Sequence, residues 1–346
     1  PSLLLPHRRV TFGINAAFCL VVAGVLLTGS HMVSVQRGLM TSMFSGTQVV
    51  GAHDGRFNIL LLGGDSGAGR TGLRPDSLTV ASIDADTGKT VLVGLPRNMS
   101  NFTFKPGSIM AEQFPKGWGG DGRYLNGLST WAVDHKTLFP HPRRAGIEAT
   151  IEGVEGITGL DINYWAMVNM HGFHKLVDAV GGVEMKVRED IPIGKTGEIT
   201  GWIKAGTRTL DGEDVLWYSR SRATSDDYSR MARQKCVMGA MLTQLSPQTV
   251  LTHFSEIADA SSSMVSTSIP SSQVGTFLSL ALKAKSQKIA TVSLVPPAIV
   301  TSDPNQRKIS RMINRAIDGK RAKAKPKPRP APAPPRRPRS PRSPDR

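Results

Sequence analysis

The stretch from Phe57 to Asn98, FNILLLGGDSGAGRTGLRPDSLTVASIDADTGKTVLVGLPRN, constrains the fold more than any other part of the chain. Three apolar runs within it, Ile59 to Leu62, Leu78 to Ile83 and Val91 to Leu95, are too short for helices. Gly, Asp or Pro bounds each, so they read as buried strands. Polar residues stand at their ends: Asp65 leaves the first, Arg74 and Asp76 enter the second, and Arg97 leaves the third. Strands that neighbour one another in a single sheet would gather these two carboxylates and two guanidiniums near one edge. A metal and a phosphate group both favour such an arrangement. Two solvated ion pairs are the plainer reading of the same residues.

A chain of 346 residues with 39% hydrophobic content can supply a sizeable core. Its formal charge of +16 suggests a nucleic-acid partner until the charges are located. From Lys320 to Arg346, eleven Lys or Arg face the single Asp345, so +10 of the +16 lies in a Pro-rich stretch that cannot build a core. Residues 320–346 are therefore expected to be a disordered basic tail, and the charge argues for no nucleic-acid partner. Cys19 and Cys236 are the only cysteines. With Cys19 in an apolar stretch outside the domain, no disulfide framework is possible within it.

Val10 to Ser30 holds twenty-one residues without a charge, after His7, Arg8 and Arg9. That length matches the ~20 residues that cross a bilayer, and the flanking arginines would stay inside. The expected order is a short cytoplasmic segment (1–9), a transmembrane anchor (10–30), a linker (31–55), an extracytoplasmic domain (56–319) and the tail (320–346). A cleaved signal peptide is the rival, but no clear small-x-small cleavage site follows the apolar run.

Within the domain, Ser100 to Gly122 is expected to be a long loop over the site. Helical character follows over Asn126 to Lys136 and Arg144 to Thr158, the latter with Gly156 and Gly159 as stop signals. Strands are expected over Ile162 to Val168, Val183 to Val187 and Ile289 to Leu294, with a helix over His171 to Val180. Ile191 to Leu210 reads as an irregular or hairpin excursion and Asp211 to Tyr218 as a helical turn. Ser225 or Asp226 can cap a helix from Asp227 to about Leu245, and further helices are expected over 248–260, 273–285 and 306–317. The alternation of strands and helices implies an α/β or α+β layered domain with helices on both faces of the sheet.

A second polar cluster, YSRSRATSDDYSRMARQK, spans Tyr218 to Lys235. Arg220 and Arg222 would point the same way in an extended segment, and Arg230 and Gln234 would share a helix face. Arginine forks suit phosphate oxygens, although a solvated basic helix face would look the same. The chain has no P-loop, HExxH, CxxC or GxSxG motif. His171 and His174, three apart, are read as packing or surface residues.

The blocks NILLLGGDS, RPDS (Arg74 to Ser77), LPRN (Leu95 to Asn98), NYWAMVNMHGFHKLVDAVGGVEMKV (Asn163 to Val187) and YSRSRATSDDYSRMARQ together resemble the LytR-CpsA-Psr family of cell-wall glycopolymer ligases, most closely its actinobacterial members. The resemblance implies an α/β/α sandwich around a central mixed sheet, after one N-terminal transmembrane helix. It implies a transferase that moves a glycopolymer phosphate from a polyprenyl-pyrophosphate carrier to a peptidoglycan hydroxyl. By the same resemblance Asp65 and Asp76 would hold Mg²⁺, or Mn²⁺, while Arg74, Arg97, Arg220, Arg222, Arg230 and Gln234 would hold the pyrophosphate.

Asn98 stands where the family often has Asp, and Arg123 stands one residue out of register with a family Lys. A lipid-pyrophosphate phosphatase, a non-catalytic lipid binder and, less well supported, a DNA-binding regulator are the alternatives. A polyprenyl chain would need an apolar channel, for which Leu125 to Phe139 and Ile162 to Val180 are the expected walls.

Overall fold

The computed structural model describes residues 49–64, 75–195, 197–222, 226–244, 265–285 and 287–319. Asp65, Arg74, the apolar stretch 10–30, the helix expected over 248–260 and the basic tail all lie outside the described residues. The three founding strands are present and longer than their apolar runs: β1 (Arg56–Gly64), β2 (Pro75–Asp84) and β3 (Thr90–Leu95). After them come α1 (Ile109–Gln113), α2 (Leu128–Asp134), α3 (Ala145–Thr158), β4 (Tyr164–Asn169) and α4 (Met170–Ala179). Two pairs of short strands follow, β5 (Val183–Val187) with β8 (Gly206–Leu210), and β6 (Ile191–Lys195) with β7 (Glu198–Ile203). The described chain closes with α5 (Gly212–Arg220), α6 (Asp227–Gln244), β9 (Val265–Thr267), α7 (Val274–Lys285), β10 (Ala290–Ser293) and α8 (Gln306–Asp318).

Six strands form one mixed sheet in the order β10-β3-β2-β1-β4-β9. β1, β3, β4 and β10 run parallel, while β2 and β9 run against them. The carboxyl ends of four strands and the start of β2 therefore share one edge. Both faces are covered by helices, so the strands read as nearly continuous apolar runs. On one face Leu60, Leu62, Leu78, Val80, Val91, Val93 and Leu95 are buried against α1 to α3 and α8. On the other, Phe57, Ile59 and Tyr164 meet Phe277 and Leu280 of α7. A separate core joins α4, β5 to β8, α5 and α6 through Val177, Leu210, Val215, Tyr218 and Val237.

Several expectations change. Ser100 to Gly122 is a packed layer of the main core: Phe102, Phe104, Met110 and Trp118 are buried, and α1 interrupts the loop. Its ends return to one place, with Leu125 N donating to Met99 O at 2.8 Å and Asn126 N to Arg97 O at 3.0 Å. The aromatics of this segment follow no helix or strand period and serve burial. Gly156 is inside α3, where a Cβ would come within 2.2 Å of Thr103 O, and it is Gly159 at φ +72° that ends the helix. Ordered contacts also begin before residue 56. Tyr164 Oη accepts from Val50 N at 2.8 Å and Asn163 Nδ2 donates to Gly51 O at 2.6 Å. At the far edge of the sheet, Asp84 Oδ1 accepts from Thr87 N at 2.9 Å and closes the β2–β3 turn. Arg56, buried at the start of β1, donates to Ser82 Oγ at 2.8 Å and lies 3.5 Å from Asp84.

Candidate functional site

β1 and β2 are paired with a register shift between Gly63 and Gly64: Gly63 faces Ser77 and Gly64 faces Pro75. Asp76 is the extra residue of this bulge, and a bulge re-aims a side chain at the rim of a sheet. Its carboxylate meets Arg97, just beyond β3, with Arg97 Nη1 to Asp76 Oδ1 at 2.5 Å. Both side chains remain about a quarter to a third exposed, at 26% and 30%. From α6 the buried Arg230 donates through Nη2 to the backbone oxygen of Asp76 at 3.2 Å. Two residues from the first stretch, Asp76 and Arg97, and one from the second cluster, Arg230, thus converge.

Asp226 sets the start of α6. Its Oδ1 accepts from Ser229 N at 2.7 Å, and the Ser229 hydroxyl, together with this backbone bond, holds its carboxyl below the usual range. Arg230 is fixed one residue further on.

The other residues of the second cluster divide. Arg220 ends α5, so it is not part of an extended pair with Arg222: the helix runs two residues past the turn expected at Tyr218 because Asp211 caps it and Val215 and Tyr218 are buried. Arg220 is exposed and lies 5.7 Å from the Trp217 ring. Arg222 is exposed after the helix end. Gln234 Nε2 donates to Ser219 O at 3.3 Å, and the neighbouring Arg233 donates to Tyr218 O at 2.8 Å and to Ser221 O. These two side chains satisfy carbonyls at the end of α5, which would otherwise lack partners. Burial lowers the pKa of Arg233 from its ordinary value. Arg233 therefore has a structural role that its neighbourhood in sequence did not reveal.

Between α6 and the sheet lies a crevice of about 40 Å³, lined by Asp76, Thr79, Leu92, Met231, Gln234 and Met238 among others. That is room for a few waters at ~10–15 Å³ each, not for an isoprenoid chain. Met231, Gln234, Lys235 and Met238 all line it, and Lys235 Nζ reaches Ser293 Oγ at 3.3 Å. Their spacing of i, i+3, i+4 and i+7 was the sequence signal for this wall. The walls expected from Leu125 to Phe139 belong elsewhere, since Leu125, Leu128, Ala132 and Phe139 fill the opposite core. Ile162 to Val180 is split: Trp165 and Met167 join that core, whereas Ala166 and Val168 are half-buried on the α6 and α7 side of the sheet.

Among the described residues no three His, Cys, Asp or Glu gather as a metal site. His174 Nε2 pairs with Asp178 at 2.9 Å. The donor chemistry at the sheet edge nevertheless suits a hard cation. Gly64 and Pro75, which pair across β1 and β2, are the residues immediately before Asp65 and Asp76. Magnesium needs only one or two carboxylates when phosphate oxygens complete its shell. Asn98 Oδ1 is buried without a hydrogen-bond partner among the described residues, and its amide supplies no basic carboxylate.

An anionic ligand at this edge would meet cationic side chains at the carboxyl ends of parallel strands, the usual ligand position in open α/β sheets. The fold is that of a layered α/β protein with a carboxylate and two guanidiniums gathered at this edge. The chain belongs to the LytR_cpsA_psr family, whose model matches residues 29–306. It is 28% identical over 238 residues to the cell wall biosynthesis protein LcpA of Corynebacterium glutamicum, covering 62% of this chain and 45% of that protein. It is 26% identical over 219 residues to the polyisoprenyl-teichoic acid–peptidoglycan teichoic acid transferase TagU of Bacillus anthracis, covering 63% of this chain and 62% of the relative. The chain thus spans less than two thirds of the length of these relatives. The fold is similar to that of B. subtilis TagT with bound octaprenyl pyrophosphate lipid, at a TM-score of 0.51 and 19% identity over 78% of this chain and 93% of that one.

Proposed function

We propose that this chain is a glycopolymer phosphotransferase acting on a polyprenyl-pyrophosphate carrier, with a peptidoglycan hydroxyl as acceptor. The observation that carries the reading is the convergence of Asp76, Arg97 and Arg230 at the carboxyl edge of the sheet. The similarity to a named teichoic acid transferase and the fold shared with a protein that binds octaprenyl pyrophosphate support it. In the reaction, the acceptor oxygen bonds to the phosphorus that carries the glycopolymer. The phosphoanhydride bond breaks and polyprenyl phosphate leaves.

Charge accumulates on the pyrophosphate oxygens as that bond breaks, and cations fixed in advance stabilise it. Arg97 and Arg230 both contact Asp76, and Arg74, Arg220 and Arg222 would complete the proposed anion site. Mg²⁺ held by Asp65 and Asp76 would neutralise further phosphate charge when bound. Asp76 also orients Arg97, so its role is electrostatic as well as metal-binding. An amide at position 98 cannot take the acceptor proton. The isoprenoid chain would lie on the half-covered sheet face beside Met231 and Met238, where the crevice has to widen to admit it. The active domain would lie outside the membrane, anchored by residues 10–30.

Mass spectrometry of organic extracts tests the carrier site. Full-length protein recovered from membranes should retain a polyprenyl phosphate or pyrophosphate, which Arg220→Ala with Arg230→Ala should lose. Wild-type protein that carries no isoprenoid under gentle preparation would overturn the reading.

A further inference from the structure

Helix α8 has two unlike sides. Ile309 and Ile313 are buried in the main core, while Arg307, Lys308, Arg311 and Arg315 are exposed, with Asp318 the only acid on the helix. Arg307, Arg311 and Arg315 follow one another at four-residue intervals, about 6 Å apart along the axis at 1.5 Å per residue. None of the four cations forms a salt bridge among the described residues. Arg307, Ser310 and Arg311 also line an open surface concavity of about 740 Å³ together with Gly156 and Gly159.

The direction of the helix gives this stripe a meaning. Just before it, Ser100 N donates to Thr301 O at 2.9 Å, and Thr301 Oγ1 lies 3.3 Å from the hydroxyl of Tyr228, two residues from Arg230. At its other end, Lys89 Nζ donates to Ile317 O at 2.6 Å, beside the β2–β3 turn on the far edge of the sheet. The stripe therefore begins near the Arg97 and Arg230 edge and runs away from it along the outside of the domain.

We infer that the basic face of α8 is a track for a flexible, phosphate-bearing polyanion, holding the anionic repeats of the glycopolymer as they lead away from the reaction edge. The inference rests on the proposed transferase function for the identity of the polymer. Cations spaced by about 6 Å on a straight helix fit a chain with one charge per repeat better than the two closely charged strands of duplex DNA, which place one charge per ~1.7 Å. Exposed cations also bind such a polymer through counterion release, so the contact should weaken with salt.

The test uses the full chain in neutral detergent, with the Lys and Arg of 320–346 replaced by Gln so that the tail does not obscure the helix. Binding of fluorescent poly(glycerol phosphate) is followed by anisotropy from low to moderate salt. Adding Arg307→Gln, Arg311→Gln and Arg315→Gln should weaken binding at least about tenfold and lower the log–log salt slope by about 2, at ~0.7 per contact. The matching Arg→Lys triple should bind within about twofold of its parent, which separates charge from misfolding. Equal binding by the Gln triple, or tighter binding of a DNA duplex than of the polymer at equal phosphate number, would overturn the inference. Binding needs no turnover, so failure of the track leaves transfer of a short lipid-linked saccharide intact, and failure of the transferase reading leaves polymer binding intact.

Discussion

The two faces of the central sheet come from the same strands but are covered differently. Leu60, Leu62, Leu78, Val80, Val91, Val93 and Leu95 point to one face and are essentially sealed by α1 to α3 and α8. Leu61, Gly63, Ser77, Thr79, Ala166 and Val168 point the other way and are only half-buried beneath α6 and α7. Close-packed interiors have few voids larger than a water molecule, so the sealed face can serve stability alone. The half-buried part of the other face lies beside Asp76, Arg97 and Arg230, and there packing leaves a crevice of about 40 Å³. The first face serves stability alone, whereas the second combines the buried Phe57, Ile59 and Tyr164 with the half-buried stretch on which the proposed ligand would lie.

The largest expected effect is at the edge that carries Asp76 and Arg97. Asp76→Ala removes the partner of Arg97 and the proposed metal carboxylate together, and turnover should fall by at least about 10²–10³-fold. The circular dichroism spectrum and unfolding midpoint should stay near wild type, and added Mg²⁺ should not restore activity. A folded Asp76→Ala protein with normal turnover would remove the assignment of this edge.

A pair of adjacent residues compares the faces directly. Leu78→Ala on the sealed side should cost about 2–5 kcal/mol in urea unfolding, because a void remains. Thr79→Ala on the half-covered side should cost no more than about 0.5 kcal/mol. Equal losses at the two positions would mean that both faces are packed alike, and the division of labour would fail.

An effect smaller than that of Leu78→Ala lies at the far edge. Hydrogen bonds from Thr87 and Asp86 hold the Asp84 carboxyl below its usual range, with Arg56 adding to the effect. A depressed native pKa contributes stability that is present above the unfolded value of ~3.9 and is lost as pH falls through the native value. Asp84→Asn should therefore cost about 0.5–1 kcal/mol at pH 7 and progressively less on acidification below about pH 4. Turnover at pH 7 should not change, since the turn is at the opposite edge from Asp76. A cost independent of pH would show that shape rather than charge holds the turn.

The founding strands were legible because each is short, apolar and bounded by residues that interrupt regular structure. The helix at Asp227 was legible from Asp226, whose side chain caps it as expected. Ser100 to Gly122 was misread because a layer packed through irregularly spaced aromatics has no period to detect. Arg220 was placed in an extended segment because a local turn signal says nothing of the second core that prolongs α5. Leu125 to Phe139 looked fit to line a channel, since apolar composition cannot say which face of a sheet a helix will cover.

From the sequence alone came the residue types at the site, the strands that carry Asp76 and Arg97, the helix that carries Arg230, and the class of layered fold. These depend on local pattern and backbone chemistry. Tertiary structure alone decided that Arg230 reaches Asp76 across 154 residues, whereas Arg233 and Gln234 turn to the end of α5. Strand order and register set those distances, and both arise from burying the whole sheet at once rather than from any segment by itself.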